Sequence, residues 1–206
     1  MSLETLLQQH QFHDILPTEL LQGKAYTFDL ANLDIDYQDI DALMAYTKKC
    51  LTGYDIGISR YAEQRGMQLE RNIHLGLDLS VPPGTKVFAP MDSIVHSFAD
   101  NDKPGDYGPS IILQHELEGE TFHTLYGHLS RESLTDLKKG QTINADQAFA
   151  AVGDLHENGQ WPPHLHFQII QDMQADEGDY PGMCSVADAK RYLANCPDPN
   201  LIIKLN

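Results

Sequence analysis

Cysteine is scarce in this sequence: Cys50, Cys184 and Cys196 are the only three in 206 residues. An odd, sparse set builds no disulfide framework. With no C-x-x-C pair, a cysteine zinc cluster is excluded as well. Reduced thiols are expected, with a Cys184–Cys196 bridge left open. Positive charge is also in short supply. Fourteen Lys and Arg stand against 30 Asp and Glu, for a net charge of −16, and no basic cluster offsets it. That balance excludes nucleic acid and an anionic membrane surface as partners. Long apolar runs are missing, and nothing approaches the ~18 residues of a membrane span. The opening "MSLETLLQQHQFHDILPTEL" has no early Lys or Arg, and Glu4, Gln8, Gln9 and His10 interrupt its apolar residues. It does not read as a secretory signal, so a cytoplasmic chain is expected.

What is present is the composition of a folded protein, 41% apolar and 21% charged. A chain of this size hides roughly 70% of its unfolded surface, enough for one domain with a small extra lobe. Residues 1–70 read as an α+β extension. Leu3, Leu6, Leu7 and Ile15 suggest an amphipathic helix within 1–16, and "KAYTFDLA" alternates like a strand. "DYQDIDALMAYTKKCL" spaces Ile40, Leu43, Met44, Thr47 and Leu51 as a helix does, with acids first and Lys48 and Lys49 last.

From residue 71 to 171 the texture changes to short β-like runs divided by "VPPG", "DKPGDYGP", "ELEGE", "KKGQ" and "HENGQWPP". Regular short strands with Gly and Pro between them predict a mainly β domain, an antiparallel sandwich or barrel-like core. Residues 172–206 read as a tail packing on that core. The tail holds an acidic loop, a helix in "SVADAKRYLANC" and a last strand in "LIIKL".

Eight of the ten histidines lie beyond residue 70. In "PPHLHFQII", His164 and His166 are two apart, so on a strand both rings share one face. "HLGLDL" offers His74 and Asp78. Four residues of straight strand span about 13 Å, too far for two ligands of one ion. The chain must therefore bend between them, and Gly76 sits at the midpoint. A carboxylate between Leu77 and Leu79 needs a partner or a metal, and a salt bridge to Arg71 is the plain alternative. His128 follows a glycine at a strand end. His96, His115, His123 and His156 read as ordinary strand or loop histidines.

His74, Asp78 and one member of the HLH pair form a set of two nitrogens and one oxygen. That set suits catalytic zinc, which takes three protein ligands and keeps a position for water. Magnesium and calcium prefer more oxygen, and iron is the chemical competitor. Two histidines remain over, suited to proton transfer beside a bound water.

H-x-x-x-D, then "YGHLS", then "HLHF", in this order on a β-rich chain, resembles the lysostaphin-like (LytM-type) zinc metallopeptidases. "GTKVFAP", "GDYGPSIILQHELEGETFHTLYGHLS" and "LKKGQTINADQAFAAVG" extend the resemblance over about residues 71 to 171. The resemblance implies an antiparallel β core with a zinc site in a groove. It implies Zn(2+) held by His74, Asp78 and His166, with His128 and His164 as the catalytic pair. It also implies a peptide or peptidoglycan-derived substrate.

"HENGQWPP", with Trp161, departs from the family's small-residue loop, and Gln168 stands where Glu is frequent. The tail "GDYPG…CPDPN" together with the core also resembles the peptidase-like domain joined to class III aminotransferases. That second resemblance implies a small intracellular peptide or amide as substrate. The competing expectation is a latent or non-catalytic metal-binding module on the same fold. In such a module an N-terminal segment supplies a fourth ligand, with Asn32 or a neighbouring aspartate as the plug.

Overall fold

Ser2 starts the first helix: its hydroxyl accepts the Thr5 N–H at 3.4 Å. This helix, α1 (Leu3–Gln9), turns Leu3, Leu6 and Leu7 into the core. The structure, a computed structural model, describes residues 1–36, 38–65 and 70–205. After α1 come α2 (Thr18–Leu21), β1 (Ala25–Thr27) and α3 (Ile40–Cys50). Asp39 caps α3 by accepting the Ala42 N–H at 3.0 Å, and Lys48 and Lys49 sit in its last turn.

Among the described residues, ten strands follow in the middle of the chain: β2 (Ile56–Ser59), β3 (Ile73–His74), β4 (Leu77–Ser80), β5 (Lys86–Phe88), β6 (Ser93–Asn101), β7 (Gly108–Leu117), β8 (Glu120–Gly127), β9 (Thr142–Ile143), β10 (Ala148–Ala151) and β11 (Leu165–Ile170). A 3-10 turn at Arg131–Leu134 interrupts them after β8. The chain closes with β12 (Met183–Cys184), α4 (Ala189–Asn195) and α5 (Asn200–Ile203).

Eight strands form one sheet in the order β1-β2-β4-β11-β8-β7-β6-β9. The β1–β2 pair is parallel, and the other pairs of this sheet are antiparallel. The mainly β fold with a C-terminal helix, expected from the sequence, is therefore present, and the sheet is mixed at one edge. That edge comes from the N-terminal segment. β2 pairs directly with β4, setting Ser59 opposite Asp78.

One expectation is overturned. "LIIKL" forms no strand, because most of it lies in α5 and the residues just after it. Asp198 accepts the Asn200 N–H at 2.8 Å, and Asn200 Oδ1 accepts the Leu205 N–H at 2.8 Å. These side-chain bonds satisfy the backbone locally, so the segment needs no neighbouring strand. Ile202 then packs into the same core as α1.

β11 shows how the sheet carries chemistry on one face and packing on the other. Leu165, Phe167 and Ile169 enter the main core beside Leu77 and Leu79 of β4 and Phe122 and Tyr126 of β8. Each such burial contributes about 1.5–3 kcal/mol, so β11 is a stiff support. His166 and Gln168, one residue out of phase, face the other way. On that side a second core gathers Ile73, Leu75, Ile112, Leu125, Ile170, Cys184 and Cys196. Both of these cysteines are buried free thiols, so the bridge left open by the sequence is not formed.

The bend expected at Gly76 is a transfer between sheets. β3 pairs with β12 in a two-stranded sheet, whereas β4 pairs with β11 and β2. The glycine has a second purpose. A Cβ there would lie 2.4 Å from His166 Cε1 and 2.5 Å from His166 Nε2. No side chain at 76 leaves room for that imidazole.

Candidate metal centre

Three strands bring His74, Asp78 and His166 together. β11 sets His166 directly opposite Asp78 on β4, and the bend at Gly76 swings His74 back toward them. Asp78 Oδ1 lies 3.2 Å from His74 Nε2 and 3.0 Å from His166 Nδ1, and the two ring nitrogens are 3.3 Å apart. All three side chains are buried, at 1%, 6% and 3% exposure for His74, Asp78 and His166.

The second nitrogen of each ring fixes its tautomer. His74 Nδ1 is 3.0 Å from the Arg60 carbonyl oxygen, which can only accept, so the proton sits on Nδ1 and Nε2 is bare. His166 Nε2 is 3.0 Å from Gln168 Oε1. The Gln168 amide nitrogen donates to the Pro181 carbonyl at 3.2 Å and to Cys196 Sγ at 3.3 Å, so its oxygen faces the ring. His166 therefore donates from Nε2 and presents a bare Nδ1. Two nitrogen lone pairs and a carboxylate oxygen thus converge with no hydrogen between them. Such a triangle repels itself unless a cation lies on it. Its edges are close to those of a tetrahedral zinc site with ligand distances near 2.0–2.1 Å, for which they are about 3.3–3.4 Å. The residues fit the metal, and among the described residues this is the one such cluster.

The salt bridge considered for Asp78 exists, but with a different partner. Arg65, not Arg71, places Nη2 on Asp78 Oδ2, and both side chains are 9% exposed. Burial alone would raise the Asp78 pKa. The neighbouring His74 ring and the Arg65 guanidinium, with His166 close beside them, more than offset this and hold it well below the usual carboxylate range. Sequence reasoning missed Arg65. It lies in a polar connector without periodicity, and only its pairing across the sheet edge brings it to Asp78.

His128 and His164 stand beside this triad with ring centroids 4.2 Å apart. His164 Nε2 is 3.8 Å from Asp78 Oδ1. The Nδ1 of His128 meets the Asn158 carbonyl oxygen at 2.8 Å, and the Nδ1 of His164 meets that of Pro162 at 2.7 Å. Both rings therefore carry the proton on Nδ1 and leave Nε2 as an acceptor. His128 sits in the left-handed region at φ 61°, an uncommon conformation for a residue other than glycine. Its N–H is held by the Tyr107 carbonyl at 2.8 Å. Burial lowers the pKa of His128 well below its ordinary value, with the fields of His164 and His166 adding to it. Burial also lowers His164, and it takes His74 down to about 4. These three rings are neutral at pH 7.

All five residues line one groove of about 900 Å³. Tyr107, Trp161 and Tyr180 line it from loops of the β-rich region and the tail, and Phe28, Leu33 and Tyr46 line it from the N-terminal segment. Asn32, considered as a plug, is elsewhere. Its amide donates to Asp29 at 2.9 and 3.1 Å in an exposed turn.

Residues 72–177 match the family model described as Peptidase family M23. The chain belongs to this family. Among curated relatives, an "uncharacterized metalloprotease" of Haemophilus influenzae is 30% identical over 138 residues, which is 64% of this chain and 27% of that protein. The peptidoglycan DD-endopeptidase ShyA of Vibrio cholerae is 32% identical over 97 residues, 47% of this chain and 20% of that one. The chain thus matches only about a quarter of the length of these relatives. The catalytic domain of lysostaphin from Staphylococcus simulans aligns with 71% of this chain and 97% of its own, at 21% identity and a TM-score of 0.45. The M23 region contains all five candidate residues, whereas Arg60 and Arg65 lie before it.

The four remaining histidines of the β region stay outside the centre. His115 is the cleanest of them: it is buried, stacks on Phe122 and places Nε2 2.7 Å from Thr124 Oγ1. Burial lowers its pKa to about 4. A depressed histidine favours the neutral ring, so the unfolded chain takes up the proton first. Its stabilising contribution is complete above about pH 6.5 and is lost as the pH falls toward 4. For His115 alone this amounts to roughly 3 kcal/mol. Urea unfolding of the metal-free protein is expected to show a falling free energy between pH 6.5 and 4.5. A flat profile over that window would contradict the assignment.

Proposed function

We propose that this chain is a zinc-dependent peptidase that hydrolyses amide bonds in peptides, with peptidoglycan-derived peptides as the substrate class. The observation that carries the reading is the convergence of three bare acceptor atoms beside two neutral imidazoles. His74, Asp78 and His166 would hold the zinc. When bound, zinc lowers the pKa of a bound water toward about 7 and polarises a carbonyl.

The remaining chemistry belongs to His128 and His164. Each presents an Nε2 lone pair into the groove, so one takes the proton from the attacking water. The protonated ring then serves as a donor, first to the developing oxyanion and later to the leaving amine. The carbonyls of Asn158 and Pro162 hold the rings in the tautomer this requires. Tyr107 and Trp161 narrow the groove and help exclude bulk water. The names of the two curated relatives, a metalloprotease and a peptidoglycan endopeptidase, support both the metal and the substrate class.

The test is hydrolysis of purified muropeptides and of a mixed peptide panel, followed by mass spectrometry. Cleavage is expected with about one zinc per chain. It should vanish on chelation and return when zinc is restored. A zinc-loaded protein that cleaves neither set would overturn the reading.

A further inference from the structure

Two of the contacts that orient the metal triad come from a stretch outside the M23 region, whereas Gln168, which holds His166, lies within it. Arg60 and Arg65 both follow β2, the strand that flanks β4. The Arg60 carbonyl fixes the tautomer of His74. Arg65 holds Oδ2 of Asp78, leaving Oδ1 turned toward His74 and His166. The backbone ties this stretch down. Arg65 N–H donates to the Asn72 carbonyl at 2.8 Å, His74 N–H donates to the Glu63 carbonyl at 3.1 Å, and Gln64 bridges Ile73.

We infer that Arg65 is a positioning residue for the metal: it orients Asp78, and through it the N-terminal segment sets metal affinity. Three observations converge on this. First, one carboxylate is shared between a guanidinium and the metal triad. A carboxylate held at Oδ2 cannot rotate Oδ1 out of the triangle. Ligand orientation by such outer partners is worth 10–100-fold in metal affinity.

Second, the pair is poorly built for stability alone. Arg65 Nε is buried with no hydrogen-bond partner among the described residues. A buried ion pair with an unsatisfied donor contributes little net stability. Third, the contact reaches only Asp78 and leaves the bare nitrogens of both histidines open. Arg65 therefore supports the site without filling a ligand position.

Coupling of this kind is reciprocal. If the segment favours metal binding, metal binding orders the segment. Loss of Arg65 should weaken the metal, and addition of metal should slow exchange at residues 60–65.

The inference rests on the metal centre proposed above but not on peptide hydrolysis. Zinc affinity is measured by competition with a chromophoric chelator for the wild type, Arg65→Met and Arg65→Lys, with the melting temperature of each metal-free protein recorded alongside. Arg65→Met is expected to bind zinc 10–100-fold more weakly. Arg65→Lys keeps the charge on Asp78 and should stay within about threefold of the wild type. A folded Arg65→Met protein that binds zinc as tightly as the wild type overturns the inference.

Should Arg65→Met not fold, hydrogen exchange on the wild type decides. Slower exchange of the Arg65 amide with zinc supports the coupling, and unchanged exchange overturns it. A wild type that binds no zinc would instead defeat the metal reading itself, so the two failures are distinguishable.

Discussion

Alanine at His128 or at His164 is expected to reduce peptide hydrolysis by about 10²–10⁴-fold while the protein keeps its zinc. The two halves of this result come from different atoms. The triangle proposed for the metal is formed by His74 Nε2, Asp78 Oδ1 and His166 Nδ1, and neither His128 nor His164 contributes to it. Their Nε2 atoms are instead available to a proton, because Nδ1 of each is tied to a backbone carbonyl. Removing one ring removes an acid–base group and not a ligand. Zinc content by plasma emission and turnover on the same samples separate these effects. If either variant lost its zinc, that histidine would belong to the ligand set. If both kept full turnover, the proton would be handled elsewhere. The double variant should be little worse than the worse single, since the rings act on one reaction and their effects are not additive.

Asp78→Ala is expected to lose zinc and, in the metal-free state, about 3–5 kcal/mol of folding stability. The stability loss arises from Arg65 rather than from the missing carboxylate. Arg65 is 9% exposed, and its guanidinium pairs with Asp78 Oδ2. Without Asp78 a buried cation is left uncompensated. Comparing metal-free proteins removes the stabilisation that bound zinc would add to the wild type. Adding Arg65→Met to Asp78→Ala should recover much of the lost stability, because an apolar side chain needs no counter-charge there. Zinc binding should remain absent. Urea unfolding of the four proteins gives the coupling as a double-mutant cycle. Additive losses would mean that the two residues do not interact.

The centre was legible in the sequence where local geometry decides it. The spacing of two in "HLHF" brings both rings to one site: His166 stands on β11, and His164, just before that strand, lies beside Asp78 and His128. The 13 Å problem between His74 and Asp78 required a bend, and the bend occurs at Gly76. What the sequence did not reveal depends on long-range pairing. Arg71 is nearer to Asp78 in sequence than Arg65, yet the β2–β4 register and the Gln64–Ile73 bridge bring Arg65 to it. "LIIKL" has the apolar content of a strand, but side-chain bonds from Asp198 and Asn200 wind it into a helix. The Arg60 and Gln168 contacts are equally invisible in sequence, since each depends on which atom of a side chain or backbone faces a ring.

The pairing of β2 with β4 bears on any attempt to trim the N-terminal segment. β4 carries Asp78 and is an interior strand only because β2 covers one side. Cutting the chain after residue 60 would convert it into an open edge, with unpaired N–H and C=O groups beside Leu77 and Leu79. Edges of that kind recruit other strands and drive aggregation. A shortened protein that lost activity would then report self-association, and size-exclusion chromatography would reveal it before any assay.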